Sequence, residues 1–565
     1  MEKILLVEPY YQNKYPPMGL MKIATFHRER GDIVEFYKGE APYIKISQMD
    51  RIYITTLFTF HYDITVKCIQ HYSKYINNDC IYIGGIAANL LASDYLRDTG
   101  IENIICGQLT DSRVLGYDEK VNIDLLPLDY DILDDVLYKY PAGDNYFVHT
   151  TRGCPRACDF CAVKTLEPTF KTTNNVINQV SRVDAMYGQK RNLLIMDNNI
   201  LYSQKLCEIV NDIRSLGFTG ESNYVYPNPF VILMSKIRRR IAFMVSYSKQ
   251  IDDIMIYLKG FSKRLARYEK ANKIYNEIIL LIDSSEDKWA ILQKYESEIT
   301  SLVEKYRNKT RMIRYVDFNQ GIDARLIDAD NAKILSHIPI RPFRLAYDGI
   351  YETEIFTKAT KIAVANNICN FSNYILYNWK DRPEDLWHRL HNAILLYNSF
   401  DTKISAFSFP MKYAPVNEKD RGFIGEHWNK KYLGAVNVVL NVTKGVVARE
   451  LDFFYEAFGA NIKEYFMILT MPNELIRFRH FFRDNGLIDC WKKLYINLSD
   501  KEKNDLLDLL CKAKYDRSIL FNEHSWKIKQ ILELYSINKP QFDRGERTAS
   551  VILDKIKLYG KDFVP

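Results

Sequence analysis

The fold and the chemistry of this chain are decided by ten consecutive residues, Arg152-Gly153-Cys154-Pro155-Arg156-Ala157-Cys158-Asp159-Phe160-Cys161. The three cysteines have the spacing C-x3-C-x2-C. They follow an alternating run over residues 145–150, which predicts a strand that leads into a loop. Thiolates are the usual ligands of iron–sulfur clusters, and a 4Fe–4S cube has four irons. Three cysteines hold three of these irons and leave the fourth open to a small molecule that receives an electron.

A zinc site and three unrelated buried thiols are the alternatives to a cluster. A structural zinc site normally takes four ligands, and no fourth cysteine or histidine lies nearby at zinc-ribbon spacing. Three unrelated thiols would need neither the aromatic Phe160 before the last cysteine nor the strand-to-loop context. The spacing, the aromatic residue and that context together favour the cluster.

The pattern C-x3-C-x2-C with an aromatic residue before the last cysteine resembles the signature of the radical S-adenosylmethionine (SAM) enzymes. In that family SAM chelates the open iron through its amino and carboxylate groups, and one electron cleaves a carbon–sulfur bond to give a 5′-deoxyadenosyl radical. The resemblance implies that Cys154, Cys158 and Cys161 hold a 4Fe–4S cluster and that SAM is the second cofactor. It also implies an electron donor such as flavodoxin or ferredoxin.

The first 115 residues alternate between strand and helix patterns. Short apolar or alternating runs, separated by helical segments, cover residues 4–7, 32–37, 51–57, 80–85 and 101–106. This alternation predicts a parallel, doubly wound, Rossmann-like sheet. Ligands of such sheets bind beyond the carboxyl ends of the strands.

This first part resembles the cobalamin-binding-type domain that precedes the barrel in one large group of radical SAM proteins. The residues that carry the resemblance are residues 16–20 (PPMGL), Gly84 and Gly85, Gly107, and the linker at residues 126–131. The chain has no D-x-H-x-x-G motif to supply a histidine ligand to cobalt. Gln108 also follows Gly107, where that group often has an acidic turn. The resemblance therefore leaves open whether the domain binds cobalamin or is a scaffold without it.

Residues 126–228 and 313–410 predict the family's catalytic domain, an open (β/α)6 barrel with its site at the carboxyl ends of the strands. The resemblance assigns SAM contacts to Asp197 and Asn198 after a buried strand, to Gln320, to Arg325 in the G-x-D-x-R segment that follows Gln320, and to Asn378. A helix cap is the alternative for Asp197 and Asn198. A structural salt bridge is the alternative for Arg325, which could otherwise hold the SAM carboxylate bidentately. No catalytic residue is assigned.

Residues 229–312 interrupt the barrel pattern. Apolar residues at helical spacing, a near absence of Gly and Pro, and a turn near residues 284–285 predict an antiparallel helical hairpin. The basic run Arg238-Arg239-Arg240 fits either a solvated helix face or an arm that docks nucleic acid or a partner. The solvated face is the simpler interpretation.

The remaining sequence and the composition complete the division of the chain. Residues 411–565 predict an all-helical carboxyl-terminal domain, and residues 1–125 form the first domain. A length of 565 residues predicts about three domains, and a net charge of +7 permits an anionic partner without indicating one. The other seven cysteines form no second C-x2-C group, so no auxiliary cluster is expected.

The amino terminus predicts a strand rather than a signal peptide, and no apolar stretch approaches 18 residues. We therefore expect a cytoplasmic protein without a membrane span.

The resemblance implies a mechanism but does not identify the substrate. A small molecule, a peptide and RNA all stay open. Bound cobalamin would imply radical methylation of an unactivated carbon. Without cobalamin, hydrogen abstraction would start a rearrangement, an oxidation or a bond formation. A SAM-binding or partner-binding protein that has lost catalysis is the alternative from another class, and the intact cysteine triad argues against it.

Overall fold

The computed structural model describes residues 1–512, 525–537 and 539–540. The chain forms two compact units. The first unit contains Met1–Ile322, Ala329–Arg341 and Pro415–Arg421. The second contains Asp323–Asp328, Pro342–Ala414 and the described residues from Gly422 onward.

The first unit begins with a five-stranded parallel sheet in the order β2-β1-β3-β4-β5. Its elements are β1 Lys3–Glu8, α1 Met18–Glu29, β2 Ile33–Lys38, α2 Tyr43–Ile46, β3 Arg51–Thr56, α3 Tyr62–Ser73, β4 Ile81–Gly85, α4 Ile86–Leu90, α5 Ala92–Thr99 and β5 Ile104–Ile105. Residues 4–7 of β1 are fully buried, because this strand lies inside the sheet between β2 and β3. The predicted doubly wound sheet is confirmed, and strand order 2-1-3-4-5 places its switch point between β1 and β3.

The segment around the cysteines contains short elements. They are β6 Tyr146–Val148, β7 Thr151–Arg152, α6 Val163–Leu166, β8 Lys171–Thr172, α7 Val176–Tyr187, β9 Leu193–Ile195, α8 Leu206–Ser215 and β10 Ser222–Tyr224. β7 and β8 pair antiparallel, so the cysteine loop lies between the two strands of a small ribbon. The predicted strand before the cysteines is β6.

The insertion, all of which is described, has five helices rather than the predicted two-helix hairpin. They are α9 Pro229–Ala242, α10 Ser248–Leu265, α11 Glu269–Ser284, α12 Lys288–Lys294 and α13 Glu296–Tyr306, and they share one apolar core. The predicted turn near Ser284 is correct. The breaks between α9 and α10 and between α10 and α11 contain no Gly or Pro, so no local signal in the sequence marks them.

The first unit then completes a two-stranded sheet and a separate three-stranded sheet. β11 Met312–Ile313 pairs with β10, β12 Val316–Phe318 pairs parallel with β9, and α14 Ala329–Leu335 follows. The order β12-β9-β6 is entirely parallel. The carboxyl ends of these three strands therefore share one edge, where β6 leads into the cysteine loop and β9 into Asp197.

The second unit contains further parallel strands with helices between them. They are β13 Phe343–Ala346, α15 Thr353–Ala365, β14 Asn370–Tyr377, α16 Pro383–Asn398 and β15 Ser405–Lys412, in the order β13-β14-β15. Within the described residues, six parallel strands thus lie in the places predicted for the barrel, three in each unit. Their closure into one open barrel stays a prediction, as does the division into domains.

Helices dominate the rest of the second unit, but one strand corrects the all-helical prediction. The elements are α17 Lys430–Val442, β16 Val447–Ala448, α18 Leu451–Phe458, α19 Ile462–Thr470, α20 Asn473–Arg477, α21 Arg479–Asp484, α22 Leu487–Ile496, α23 Asp500–Lys512 and α24 Trp526–Glu533. β16 pairs antiparallel with β15 at two positions. A two-residue strand is too short to show an alternating pattern. Residues 513–524, 538 and 541–565 of the predicted all-helical domain lie outside the described residues.

The predicted boundary at residue 410 lies inside β15. Pro410 lies within this strand, and β16 covers Phe407 and Ser408 of β15 and stops before the proline. A proline is tolerated where a strand has a neighbour on one side. Among the described residues, no helix combines the length and the apolar character that crossing a membrane requires.

Candidate functional site

The three cysteines of the motif lie on the loop between β7 and α6 in the first unit. Cys154, Cys158 and Cys161 are partly exposed, and none forms a disulfide. The loop begins at Gly153, whose backbone has φ +73°; a Cβ there would lie 2.8 Å from the Glu167 carbonyl oxygen. Glycine therefore lets the loop fold tightly back on the chain that follows α6.

Asp197 holds the chain that leads into this loop. One of its carboxylate oxygens accepts the Thr150 N–H (2.7 Å), and the other accepts the Thr151 N–H (2.9 Å) and the Thr150 hydroxyl. Burial raises the pKa of Asp197 to about 6, although these hydrogen bonds oppose the rise. The carboxylate is thus engaged by the loop itself, which favours a positioning role over the predicted contact with SAM.

Asn198 reaches the same loop through Glu167. Its Nδ2 donates to Glu167 Oε2 (2.9 Å), which also accepts the Gly153 N–H (2.7 Å). The other Glu167 oxygen accepts from Arg152 (3.0 Å). Glu167 therefore ties the first residues of the loop to the residues beyond β9, and the Asn198 side chain is engaged there. This contact accounts for Asn198 without SAM.

A charged network extends from Arg152 into the amino-terminal sheet. Arg152 pairs with Asp124, which also accepts from Lys22 Nζ of α1 (2.9 Å). Burial would raise the pKa of Asp124, but the two cations outweigh it and lower the pKa to about 2. Asp124 is consequently ionised at neutral pH and links the cysteine loop to α1.

Two N–H groups point at the sulfur of Cys154. The Arg156 backbone N–H lies 3.4 Å from this Sγ, and the side-chain Nδ2 of Asn199 lies 3.6 Å from it. Such donors stabilise a thiolate, the form that binds iron. Three partly exposed thiols outside any disulfide, with two N–H donors at Cys154, therefore fit a 4Fe–4S cluster held by Cys154, Cys158 and Cys161.

The carboxyl edge of the amino-terminal sheet faces the cysteine loop. Helix α4, which follows β4, packs on α6, which follows the cysteines. Lys171 of β8 donates to Gln108 beyond β5 (2.8 Å). Tyr15 in the loop after β1 donates to Asn319 beyond β12 and contacts the edge of the Phe147 ring of β6. Two carboxyl edges thus lie against each other with the cysteine loop at their junction.

Aromatic rings line this edge of the amino-terminal sheet. His61, in the loop after β3, stacks on Tyr11, with ring centroids 4.7 Å apart. The guanidinium of Arg421 lies 3.7 Å from the centroid of the Phe60 ring, so residues 415–421 also reach the edge. Burial lowers the pKa of His61, and Arg421 lowers it further. No sequence motif marks this imidazole, and its place at the edge emerges from the packing of the loop.

The other predicted contacts lie in different parts of the chain. Gln320 is exposed in the turn after β12 of the first unit. Arg325 belongs to the second unit, where it pairs with Asp323 (2.7 Å) and lies 3.6 Å from Glu352. The salt bridge that was the alternative for Arg325 is therefore present. A contact between Arg325 and SAM stays a prediction.

The side chain of Asn378 is engaged by the backbone, and its contact with the adenosyl group stays a prediction. Asn378 is fully buried, at φ +70°. Its Nδ2 donates to the carbonyl oxygens of Tyr413 and Phe423 (both 3.0 Å), and its Oδ1 accepts the Gly425 N–H (2.8 Å). Both donor hydrogens and the oxygen of the amide are used by the backbone, so the role of Asn378 is to tie loops together.

Asp348 is a functional candidate that sequence reasoning missed. It lies just beyond the carboxyl end of β13 in the second unit, and its backbone N–H donates to Glu352 Oε2 (3.0 Å). Burial and the neighbouring Glu352 raise its pKa to about 6. A carboxyl group with this pKa, beyond a parallel strand, is suited to proton transfer near neutral pH. The sequence signal that could have identified Asp348 is its position directly after a short run of buried strand residues.

The basic run of the insertion is neither a solvated face nor a free docking arm. Arg239 pairs bidentately with Asp131 (2.6 and 2.9 Å), and Arg240 pairs with Asp135 (2.9 Å). Both arginines are largely buried, and the half-exposed Arg238 pairs with Glu296. The run therefore binds the insertion to Asp131 and Asp135, and docking of nucleic acid or a partner by this run stays a prediction.

A cavity of about 710 Å³ lies elsewhere, inside the second unit. Its polar lining includes Lys412, Lys430, Lys431 and Asn473. The predicted site residues lie outside its lining. Lys431 donates to the Leu469 and Met471 carbonyl oxygens (3.0 and 2.7 Å) at the end of α19, a helix-capping role.

Comparison with known proteins gives little further information. No family model matches the chain, and no curated protein matches it. Among solved structures, the chain is similar to the apo, selenomethionine-labelled form of the cobalamin-dependent S-adenosylmethionine radical enzyme OxsB, at 10% sequence identity and a TM-score of 0.35. The match covers 100% of this chain and 76% of that one. We draw no conclusion about fold or function from a likeness at this level.

Proposed function

We propose that this chain is a radical SAM enzyme. The observation that carries the proposal is the C-x3-C-x2-C loop, whose three cysteines form no disulfide and are partly open to solvent. Ordinary buried cysteines need no such arrangement. Here Asp197 and the Arg152–Glu167 pair hold the chain at the start of the loop. This support is what a loop needs if it must present three ligands in a fixed geometry.

Cys154, Cys158 and Cys161 would hold the 4Fe–4S cluster. When bound, such a cluster supplies the electron that cleaves SAM to methionine and a 5′-deoxyadenosyl radical. The chain's own residues set the conditions. Glu167 fixes Gly153, and the Arg156 N–H favours the thiolate of Cys154. An electron donor such as flavodoxin or ferredoxin completes the proposal, and the substrate is a small molecule, a peptide or RNA.

Cobalamin-dependent methylation is the form of this function that we place first. The support is the position of the cysteine loop, which faces the carboxyl edge of the doubly wound sheet in the same unit. Ligands of such sheets bind at that edge. A cobalamin there would lie beside SAM. Hydrogen abstraction without cobalamin is the alternative, and the binding assay below distinguishes the two. A cytoplasmic location is part of the proposal.

The test uses full-length protein, purified and reconstituted with iron and sulfide without oxygen. SAM, dithionite and hydroxocobalamin are added, and retained cobalamin, 5′-deoxyadenosine and S-adenosylhomocysteine are quantified together. Cys158→Ala removes one ligand. Cys207→Ala is the matched control, because Cys207 is an exposed free thiol outside the loop.

The expected result is a cluster and SAM cleavage in the wild type and in Cys207→Ala, with both lost in Cys158→Ala. Retained cobalamin with S-adenosylhomocysteine supports methylation. Deoxyadenosine without retained cobalamin supports the hydrogen-abstracting alternative. Equal iron content in all three proteins would overturn the proposal, and it would favour a SAM-binding or partner-binding protein without catalysis.

A further inference from the structure

Three consecutive residues after β9 form hydrogen bonds with the cysteine loop and with the residues that flank it. Asp197 holds the backbone at Thr150 and Thr151, and Asn198 binds Glu167. Asn199 reaches furthest, to the sulfur of Cys154 (3.6 Å). The segment is therefore one anchor, whose last member touches a candidate iron ligand directly.

The position of Asn199 is not explained by helix capping, the role that its sequence context suggests. It is 3% exposed and precedes the short 3-10 turn Ile200–Tyr202, but its side chain caps none of that turn's N–H groups. Its amide nitrogen is directed at Cys154 instead. Together with the Arg156 backbone N–H at 3.4 Å, it makes Cys154 a sulfur with two donors.

Donors at one sulfur have a defined electrostatic effect. Negative charge on the ligand sulfurs of an iron–sulfur cluster increases when the cluster takes up an electron. An N–H group at such a sulfur therefore stabilises the reduced form more than the oxidised form, and it raises the reduction potential. A radical SAM enzyme must be reduced before it cleaves SAM.

We propose that Asn199 is a positioning residue, whose side-chain N–H orients Cys154 as an iron ligand and makes the bound cluster easier to reduce. The inference rests on the proposed function, since it requires that the cluster binds. The electron comes from an external donor, dithionite in the test, and no covalent bond of the protein changes.

The experiment compares wild type, Asn199→Leu, Asn199→Asp and Asn211→Leu. The first substitution removes the donor at similar volume, and the second replaces the N–H group with a charged oxygen. Asn211→Leu is the matched control, because Asn211 Nδ2 lies 3.7 Å from the sulfur of Cys207, an exposed cysteine outside the loop. The iron and sulfide content of each protein is quantified, and circular dichroism checks that each variant is folded. The midpoint potential of the cluster is measured by a redox titration that is monitored by electron paramagnetic resonance.

We expect a shift of about tenfold in the reduction equilibrium of Asn199→Leu, which is about 59 mV lower for a one-electron couple. Asn199→Asp should be lower still, and Asn211→Leu should equal the wild type. A folded Asn199 variant that takes up less iron than wild type also supports the inference, because Cys154 is then misplaced.

Wild-type iron content and potential in either folded Asn199 variant would overturn the inference and leave the proposed function standing. Absence of a cluster in wild type would instead overturn the proposed function. Asn199→Asp is nearly isosteric with the native residue, so it carries the test if Asn199→Leu does not fold.

Discussion

Replacing Asn378 with alanine should destabilise the second unit without acting on SAM directly. Asn378→Ala removes three hydrogen bonds to the backbone of Tyr413, Phe423 and Gly425, of which the one to Gly425 is buried and the other two are partly buried. It also places alanine at φ +70°, a left-handed backbone conformation that asparagine adopts more readily than alanine. The substitution therefore combines the loss of hydrogen bonds with backbone strain.

The two costs can be separated with a second asparagine of the same unit. Asn367 also has a positive φ, +62°, but is exposed. Asn367→Ala therefore introduces similar backbone strain at an exposed position. Each hydrogen bond lost costs about 1 kcal/mol. Asn378→Ala should thus cost about 3 kcal/mol more than Asn367→Ala. For a unit of roughly 200 residues this lowers the melting temperature by about 6–12 °C more.

Differential scanning calorimetry measures the melting temperatures, and SAM affinity is measured below the transition on reconstituted protein. We expect a large difference in melting temperature and an unchanged Kd for SAM. Equal melting temperatures for the two variants, with SAM binding lost only in Asn378→Ala, would refute the structural role. That result would support the predicted adenosyl contact.

Three further predictions concern the first unit. Glu167→Gln should lower the iron taken up per chain on reconstitution, because the neutral amide weakens the hold on the start of the cysteine loop. Arg239→Met should lower the melting temperature, with a cost of about 3–5 kcal/mol, because it leaves a carboxylate buried and unpaired in the linker; the half-exposed Arg238→Met should change it little. Burial raises the pKa of Asp197 to about 6, so its stabilising effect is complete below about pH 4 and is lost as the pH rises through 6. The melting temperature of the wild type relative to Asp197→Asn should fall over that range.

Each of these three predictions has an outcome that would contradict it. Full iron content in Glu167→Gln would show that the loop keeps its geometry without the ionised carboxylate. Equal melting temperatures for the two arginine variants would mean that the buried pair contributes no more than the exposed one. A pH-independent difference for Asp197→Asn would mean that this carboxyl group titrates alike in the folded and unfolded chain.

Features that depend on neighbours in the chain could be predicted from the sequence. The cysteine spacing is one of these, since the candidate ligands lie within eight residues. The alternation of strands and helices is another, because burial of each element imposes a period of 2 or 3.6 on its own residues. The parallel sheet and most helix positions followed from it. The prediction for the insertion was wrong in the number of helices, because its breaks contain no Gly or Pro.

The cysteine motif, the order of the elements and the class of the amino-terminal sheet thus follow from the sequence without coordinates. The contacts of the polar residues around the motif required the folded structure. Asp197 reaches Thr150 across 47 residues, and Arg239 reaches Asp131 across 108. The sequence around an arginine, an aspartate or an asparagine does not show whether its side chain binds a ligand, pairs in the interior or faces water. Their role is set by which distant segment packs against them, and that depends on the packing of the whole unit.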